Sequence, residues 1–389
     1  MTGYGHILIA RPGEKVERRG SVDAVFLCLV LALLAFGAVM SFSASCVYAE
    51  QFYHDGAYFF KRYLLFAALS IAVTTPFVLF AKPAFWRLFG VCLYGVSVFL
   101  LVLVLLIGTV GGGAQRWLVL GPITIQPSEI AKLALVLTLA LVLTKHEDKV
   151  TSLKKGGGSI RYGVLLPGAL IALICLLVAA EKHISGLLII GMLGVTVMFL
   201  GGTRMRYLAV MVASVAAAGC LLVLVSSYAQ VRVDTWLHIE EVDPLGSAWQ
   251  TLQGLYAIGS GGLFGLGLGN GRQKHGYVSQ PQNDFIFTVI CEELGFVGAF
   301  CVLALFALLV IRGFRIAAKA PDRFSSLAVY GICAKLALQA ILNVAVVTNS
   351  MPNTGVSLPF FSSGGTFLAM QIFEMGIVLS ISRYSTHKR

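Results

Sequence analysis

Ten stretches of this chain, near 22–42, 63–80, 86–107, 128–144, 163–181, 184–200, 207–227, 285–311, 326–348 and 365–382, are apolar with few interruptions. A run of about 17–25 such residues is the length that carries an α-helix across a bilayer. The composition points the same way. Of 389 residues, 58% are hydrophobic and only 12% charged, about half the charged share of a soluble domain. The expected fold is an all-α integral membrane protein of about ten transmembrane helices, forming one polytopic domain over residues 1–389.

Basic residues give that bundle a direction. With the N-terminus in the cytoplasm, inner segments hold twenty Lys and Arg and outer segments hold seven. Short cytoplasmic loops carry such an excess, so both termini are expected inside, with residues 1–21 as a cytoplasmic tail. The segment 228–283, between the seventh and eighth helices, is then the large extracytoplasmic loop. The loops at 43–62, 108–127 and 349–364 lie on the same side. The net charge of +11 is scattered between apolar runs and forms no single patch, which argues against nucleic acid. The first apolar run is longer than the usual core of a signal peptide and reads as an uncleaved span, although SASCVYA after it faintly imitates a cleavage site. Eight cysteines without a CxxC pair support neither a disulfide framework nor a zinc site.

Charged residues inside apolar runs each call for a partner or a task, since one at mid-membrane costs about 2.5–3.5 kcal/mol. Glu129 and Lys132 stand at i and i+3 on one face of the helix that follows Pro127, with Ser128 as a candidate N-cap. They read either as a neutralised pair worth a few tenths of a kcal/mol or as a site for an anionic substrate. Lys335 lies deep in the ninth run, with Glu374 in the tenth as its candidate partner. Glu181, Lys182 and His183 form a polar knot between the fifth and sixth runs. Glu292 and Glu293 are adjacent in sequence, so at most one is expected to face inward.

The densest group of acids is in the large loop, where Glu240, Glu241 and Asp243 precede Pro244. Proline holds the residue before it extended, and neighbouring carboxylates raise one another's pKa. Asp243 is therefore a candidate proton acceptor, with an acidic surface loop as the plain alternative. The glycine-rich stretches IGSGGLFGLGLGNG and GTVGGGAQRWLVLG lack the Lys-Ser/Thr ending or the strand–helix setting of a nucleotide site. Their glycines suit tight turns or close backbone approach.

Taken together, residues 111–132 (GGGAQRWLVLGPITIQPSEIAK), 243–269 (DPLGSAWQTLQGLYAIGSGGLFGLGLG), 283–295 (NDFIFTVICEELG) and 352–365 (PNTGVSLPFFSSGG) resemble the four signatures of the SEDS family of bacterial cell-wall proteins, FtsW and RodA. SASCVYA and NDFIFTVICEELG look more like FtsW. The chain departs from the family pattern at Ser363, at Ala248-Trp249 and at Glu181-Lys182-His183.

The resemblance implies a peptidoglycan glycosyltransferase of the bacterial cytoplasmic membrane, at the septum. Its substrate would be lipid II and its partners a class B penicillin-binding protein and other division-complex membrane proteins. It places the family's essential aspartate on Asp243 and its functional acid and lysine on Glu129 and Lys132. Polar residues of the four stretches (Arg116, Gln126, Ser128, Gln250, Gln253, Asp284, Glu292 and Ser362) are the substrate-binding candidates. No metal ligand is assigned, although Mg2+ or Mn2+ could share the electrostatic work. The rival readings are a lipid II flippase, a RodA-type elongation polymerase and a silent scaffold that activates its partner.

Overall fold

The computed structural model describes residues 20–111, 114–121, 123–151, 160–225, 227–239, 241, 246, 248–362 and 364–384. Most of the cytoplasmic tail expected at 1–21, together with Glu240, Asp243, Pro244 and Ser363, lies outside them. Among the described residues, eight helices are long and apolar enough to cross a membrane: α1 (Ala24–Tyr53), α2 (Tyr58–Phe80), α3 (Pro83–Ile107), α4 (Pro127–Lys145), α6 (Leu166–Ala180) together with the π-helical turn before it (Arg161–Leu165), α11 (Ile286–Ala318), α12 (Arg323–Val347) and α13 (Gly365–Ser382). Two further expected runs form α7 (Ile184–Leu200) and α8 (Met205–Val225), whose apolar segments are shorter. A short helix, α5 (Glu147–Thr151), follows α4.

Burial sorts the helices into layers. Most residues of α4, α12 and α13 are buried, whereas α2, α3, α6 and α11 turn most of theirs outward. That outer surface carries Leu88, Phe99, Leu106, Leu176 and Phe300, all exposed. Water would penalise such a surface by about 25 cal/mol per Å², and lipid does not. The helical backbone meets the complementary demand by satisfying its polar groups within each span. The chain is a multi-pass membrane protein.

Helix starts follow local chemistry. Asp23 caps α1 by accepting the Phe26 N–H at 2.9 Å, and α3 and α4 both begin with proline, whose missing N–H costs nothing there. Ser128 is not the N-cap of α4 as expected. Gln126 holds that position, because Pro127 already occupies the first helical turn.

The two ends of the bundle differ. At one end Arg312 pairs with Asp23 at 2.7 Å, Arg87 with Asp322 at 3.1 Å, and Arg323 with Glu147. At the other end gather the loops, joined by two helices of the large loop, α9 (Ser227–Leu237) and α10 (Trp249–Gly261). A small antiparallel sheet sits there too, which the all-α expectation left out: β1 (Thr109–Gly111), β2 (Ala114–Leu120) and β3 (Ile123–Ile125), in that order. β3 runs almost directly into α4 and so fixes where that helix begins.

The glycine-rich loop after α10 has a specific structural task. α11 is interrupted at Gly295, whose φ of 68° and ψ of −167° are non-helical and open essentially to glycine alone. The interruption frees backbone groups, and the loop takes them up. Leu266 and Gly267 donate to the carbonyls of Glu292 and Glu293 at 2.9 and 3.0 Å, while Phe296 and Val297 donate to Gly262 and Leu263 at 2.9 and 3.1 Å. A Cβ on Gly265 would stand 2.1 Å from the Glu293 carbonyl oxygen, so the loop approaches this closely only as glycine. Gly295→Ala should cost at least about 1–3 kcal/mol and lower the unfolding temperature of the detergent-purified protein. Gly168→Ala in α6, with nothing within 4 Å of the added carbon, should leave it near the wild-type value. Equal midpoints for the two variants would contradict this account of the kink.

Candidate functional site

The site begins at the head of α4. Proline at its first position aims the initial turn inward, and helical spacing then stacks Glu129 and Lys132 on one face. Lys132 Nζ lies 2.6 Å from Glu129 Oε1, with both side chains almost wholly buried. The expectation of a few tenths of a kcal/mol holds for exposed pairs and does not apply here. In a buried pair each charge compensates the desolvation of the other, and removing one partner alone typically costs about 3–5 kcal/mol.

The neighbouring loops supply the rest. Ser128, fully buried, places its Oγ 3.3 Å from His183 Nδ1, so the polar knot between α6 and α7 rests on the head of α4. Gly186 makes room for that ring: a Cβ there would come within 2.6 Å of it. Burial, reinforced by the Arg116 and Lys132 cations, pushes the His183 imidazole down to about 3, so it is neutral at physiological pH and can accept or donate one hydrogen bond. Arg116, half-buried on β2, also acts on Asp284 from the other side. Burial holds the Asp284 carboxyl above its ordinary value, against the pull of Arg116 and Arg232.

Asp284 is positioned through its backbone. The fully buried Asn343 of α12 donates from Nδ2 to the carbonyls of Asp284 and Val356, each at 2.7 Å. Ser362 Oγ donates to the Asn283 carbonyl at 2.7 Å. Arg232 of α9 donates to the Asn353 carbonyl, and Trp236 Nε1 to that of Asn349 at 3.0 Å. Through these contacts and charges the head of α4, the strand β2, the hairpin at 181–183, α9, the head of α11 and the 349–362 loop meet in one polar mouth at the loop end of the bundle. Its cations are Arg116, Lys132 and Arg232, a set suited to an anionic headgroup.

Of the sequence candidates, Arg116, Ser128, Glu129, Lys132 and Asp284 come together here, and the buried Gln126 adjoins them as the N-cap of α4. Ser362 braces the same loops. Gln250 instead donates to the Ser279 carbonyl at 3.1 Å, tying α10 to the large loop, and Gln253 lies part-buried on the same helix.

Glu292 and Glu293 overturn the expectation that at most one faces inward, since both are fully buried. The loop after α10 covers the helix on two sides. Glu292 accepts from the backbone of Arg272 and Gln273 at 2.8 and 3.1 Å. Glu293 takes Lys274 at 2.7 Å and Ser43 at 2.6 Å. Sequence reasoning missed Arg232, His183 as a contact of Ser128, and Lys274. Nothing local marks Lys274, whose partners Glu293 and Ser43 lie 19 and 231 residues away in sequence. Among the described residues no group of three or more His, Cys, Asp or Glu is arranged to hold a metal ion.

Comparison with known proteins adds the following. Residues 23–387 match the model of the cell cycle protein family of FtsW, RodA and SpoVE. The chain is 37% identical to stage V sporulation protein E of Bacillus subtilis, over 95% of this chain and 99% of that one. It is 38% identical to a probable peptidoglycan glycosyltransferase FtsW of Trichlorobacter lovleyi, over 95% of each. Among solved structures it resembles a chain from a peptidoglycan synthase complex that coordinates polymerization and crosslinking, with a TM-score of 0.76 and 29% identity over 93% of this chain and 98% of that one. It also resembles RodA, the rod shape determining protein of Thermus thermophilus, with a TM-score of 0.68 and 28% identity over 94% and 98% of the two chains.

The Asn343 bridge gives a direct test of how the mouth is held. Asn343→Ala strips the donor from two carbonyls, at about 1–3 kcal/mol for each group left unsatisfied. The unfolding midpoint should fall by several degrees, and Asn343→Asp, which sets a carboxylate against the same carbonyls, should fall further. Unchanged midpoints would show that the two loops are held by other contacts.

Proposed function

The chain belongs to the family of FtsW, RodA and SpoVE, and we propose that it is a peptidoglycan glycosyltransferase that polymerises lipid II at the outer face of the cytoplasmic membrane. The observation that carries this reading is the buried Glu129–Lys132 pair at the head of α4, with His183 on the adjoining Ser128 and the cations Arg116 and Arg232 acting on His183 and Asp284 around it. Such a mouth, rimmed by lipid-exposed apolar helices, suits a substrate with an anionic diphosphate and a prenyl tail. The excess of Lys and Arg on the opposite end of the bundle supports placing that end in the cytoplasm.

In the proposed reaction a sugar 4-hydroxyl of one chain attacks the anomeric carbon of a lipid-linked donor. The new C–O bond forms as the bond from that carbon to the diphosphate breaks, with inversion. The hydroxyl proton passes to a general base, and undecaprenyl diphosphate leaves with the bonding pair. Asp243 is the proposed base, on its position ahead of Pro244 in the signature 243–269. Lys132 and Arg116 offset the charge that develops on the leaving diphosphate, with Glu129 orienting Lys132. A class B penicillin-binding protein is the proposed partner, and the likeness to a chain of a peptidoglycan synthase complex supports it. The FtsW-named relatives support a septal location.

A positioned general base contributes about 10²–10⁴ in rate. Asp243→Ala, reconstituted in liposomes with its transpeptidase partner, should insert normally and polymerise lipid II at least about a hundredfold more slowly. Undiminished glycan synthesis would remove Asp243 from the mechanism, and lipid translocation without polymer from the wild type would replace the polymerase with a flippase.

A further inference from the structure

Behind the Glu129–Lys132 pair lies a second one. Lys335, midway along α12, donates to Glu374 Oε1 of α13 at 2.5 Å, and both side chains are almost completely buried. The two pairs are not isolated. The helices α12 and α13 both pack against α4, so that Lys335 attracts Glu129 and repels Lys132 while Glu374 attracts Lys132. Three helices thus bring two ammonium groups and two carboxylates into one cluster of zero net charge.

Each carboxylate uses only half of its capacity. Glu129 Oε2 and Glu374 Oε2 are both buried without a hydrogen-bond partner. One turn along the same faces, the buried amide oxygens of Gln339 (α12) and Gln371 (α13) are also unpartnered. The cluster therefore holds more acceptor positions than its present contacts fill, so a lysine can change partners without leaving polar surroundings.

We propose that Lys335 and Glu374 are positioning residues that release Lys132 for the substrate. This rests on the reading of the Glu129–Lys132 mouth as the site for a diphosphate. When Lys132 turns toward an incoming diphosphate, Glu129 loses its ammonium partner, and a lone buried carboxylate is strongly disfavoured. Lys335 is the neighbouring cation, and shared between Glu374 and Glu129 it leaves neither carboxylate without a positive charge in that state. The inner pair acts as a charge reserve for the outer one and sets how readily Lys132 exchanges Glu129 for the substrate anion.

The two ways of altering the reserve have opposite consequences. Lys335→Met with Glu374→Met removes it as a neutral unit, leaves Glu129 with Lys132 as its only neighbouring cation, and should raise the KM for lipid II by about tenfold with little change in kcat. Glu374→Gln leaves Lys335 free to turn to Glu129 and adds a net positive charge behind the mouth, so KM should fall below the wild-type value. Both are measured on the full chain in liposomes with its transpeptidase partner, alongside wild type. A purely structural pair predicts losses in the same direction for both, tracking the folded fraction. KM shifts of one sign in both variants, or of neither, overturn the proposal. Should Glu374→Gln fail to accumulate, the double variant decides alone, since an unchanged KM there is equally fatal. A wild type that makes no glycan would instead overturn the glycosyltransferase reading, which keeps the two failures distinct.

Discussion

An ammonium and a carboxylate cannot be held inside an apolar bundle unless each has the other, and that constraint organises this protein. Glu129 and Lys132 are buried at the head of α4, so α4 must be the central helix and its start must be fixed in place. Pro127, the strand β3 before it and the Ser128–His183 contact beside it do the fixing. The helices that enclose α4 carry their own compensated pair, Lys335 with Glu374. Apolar side chains elsewhere in the bundle can slide with modest loss. These four charges cannot, because any misalignment leaves a buried ion alone.

A second constraint comes from the backbone. The interruption of α11 at Gly295 would leave buried amides and carbonyls unmet, and the loop from Gly262 to Gly267 meets them with backbone hydrogen bonds. The same loop continues to Lys274, which reaches Glu293 and Ser43 of α1. The large loop is thereby fastened to the bundle at α1 and α11. Rigidity of this kind suits a site in which a base and a leaving group must be held a few ångströms apart.

Much of this was legible in the sequence, and the reasons are particular. Apolar runs of bilayer length gave the helices, because lipid imposes one requirement on every span. The partnership of Lys335 with Glu374 was legible because a charge in such a run has few alternatives. The small sheet was not: β1 and β3 have three residues each, too short for periodicity to register. The inward turn of both Glu292 and Glu293 was hidden as well, since it depends on a loop folding back over α11 from two sides. Ser128 looked like a cap because Ser often is one, but Pro127 had already set the helix start two residues earlier. Asp243 stands on its sequence signature alone.

The account as a whole requires the mouth to face away from the cytoplasm, where lipid II would be consumed. In a cysteine-free background that still inserts, Tyr277→Cys would probe the exposed large loop and Ala318→Cys the exposed end of α11 at the opposite pole. A membrane-impermeant maleimide added to sealed right-side-out vesicles should label the first at once and the second only after permeabilisation. Labelling in the reverse order would place the mouth in the cytosol and contradict the account.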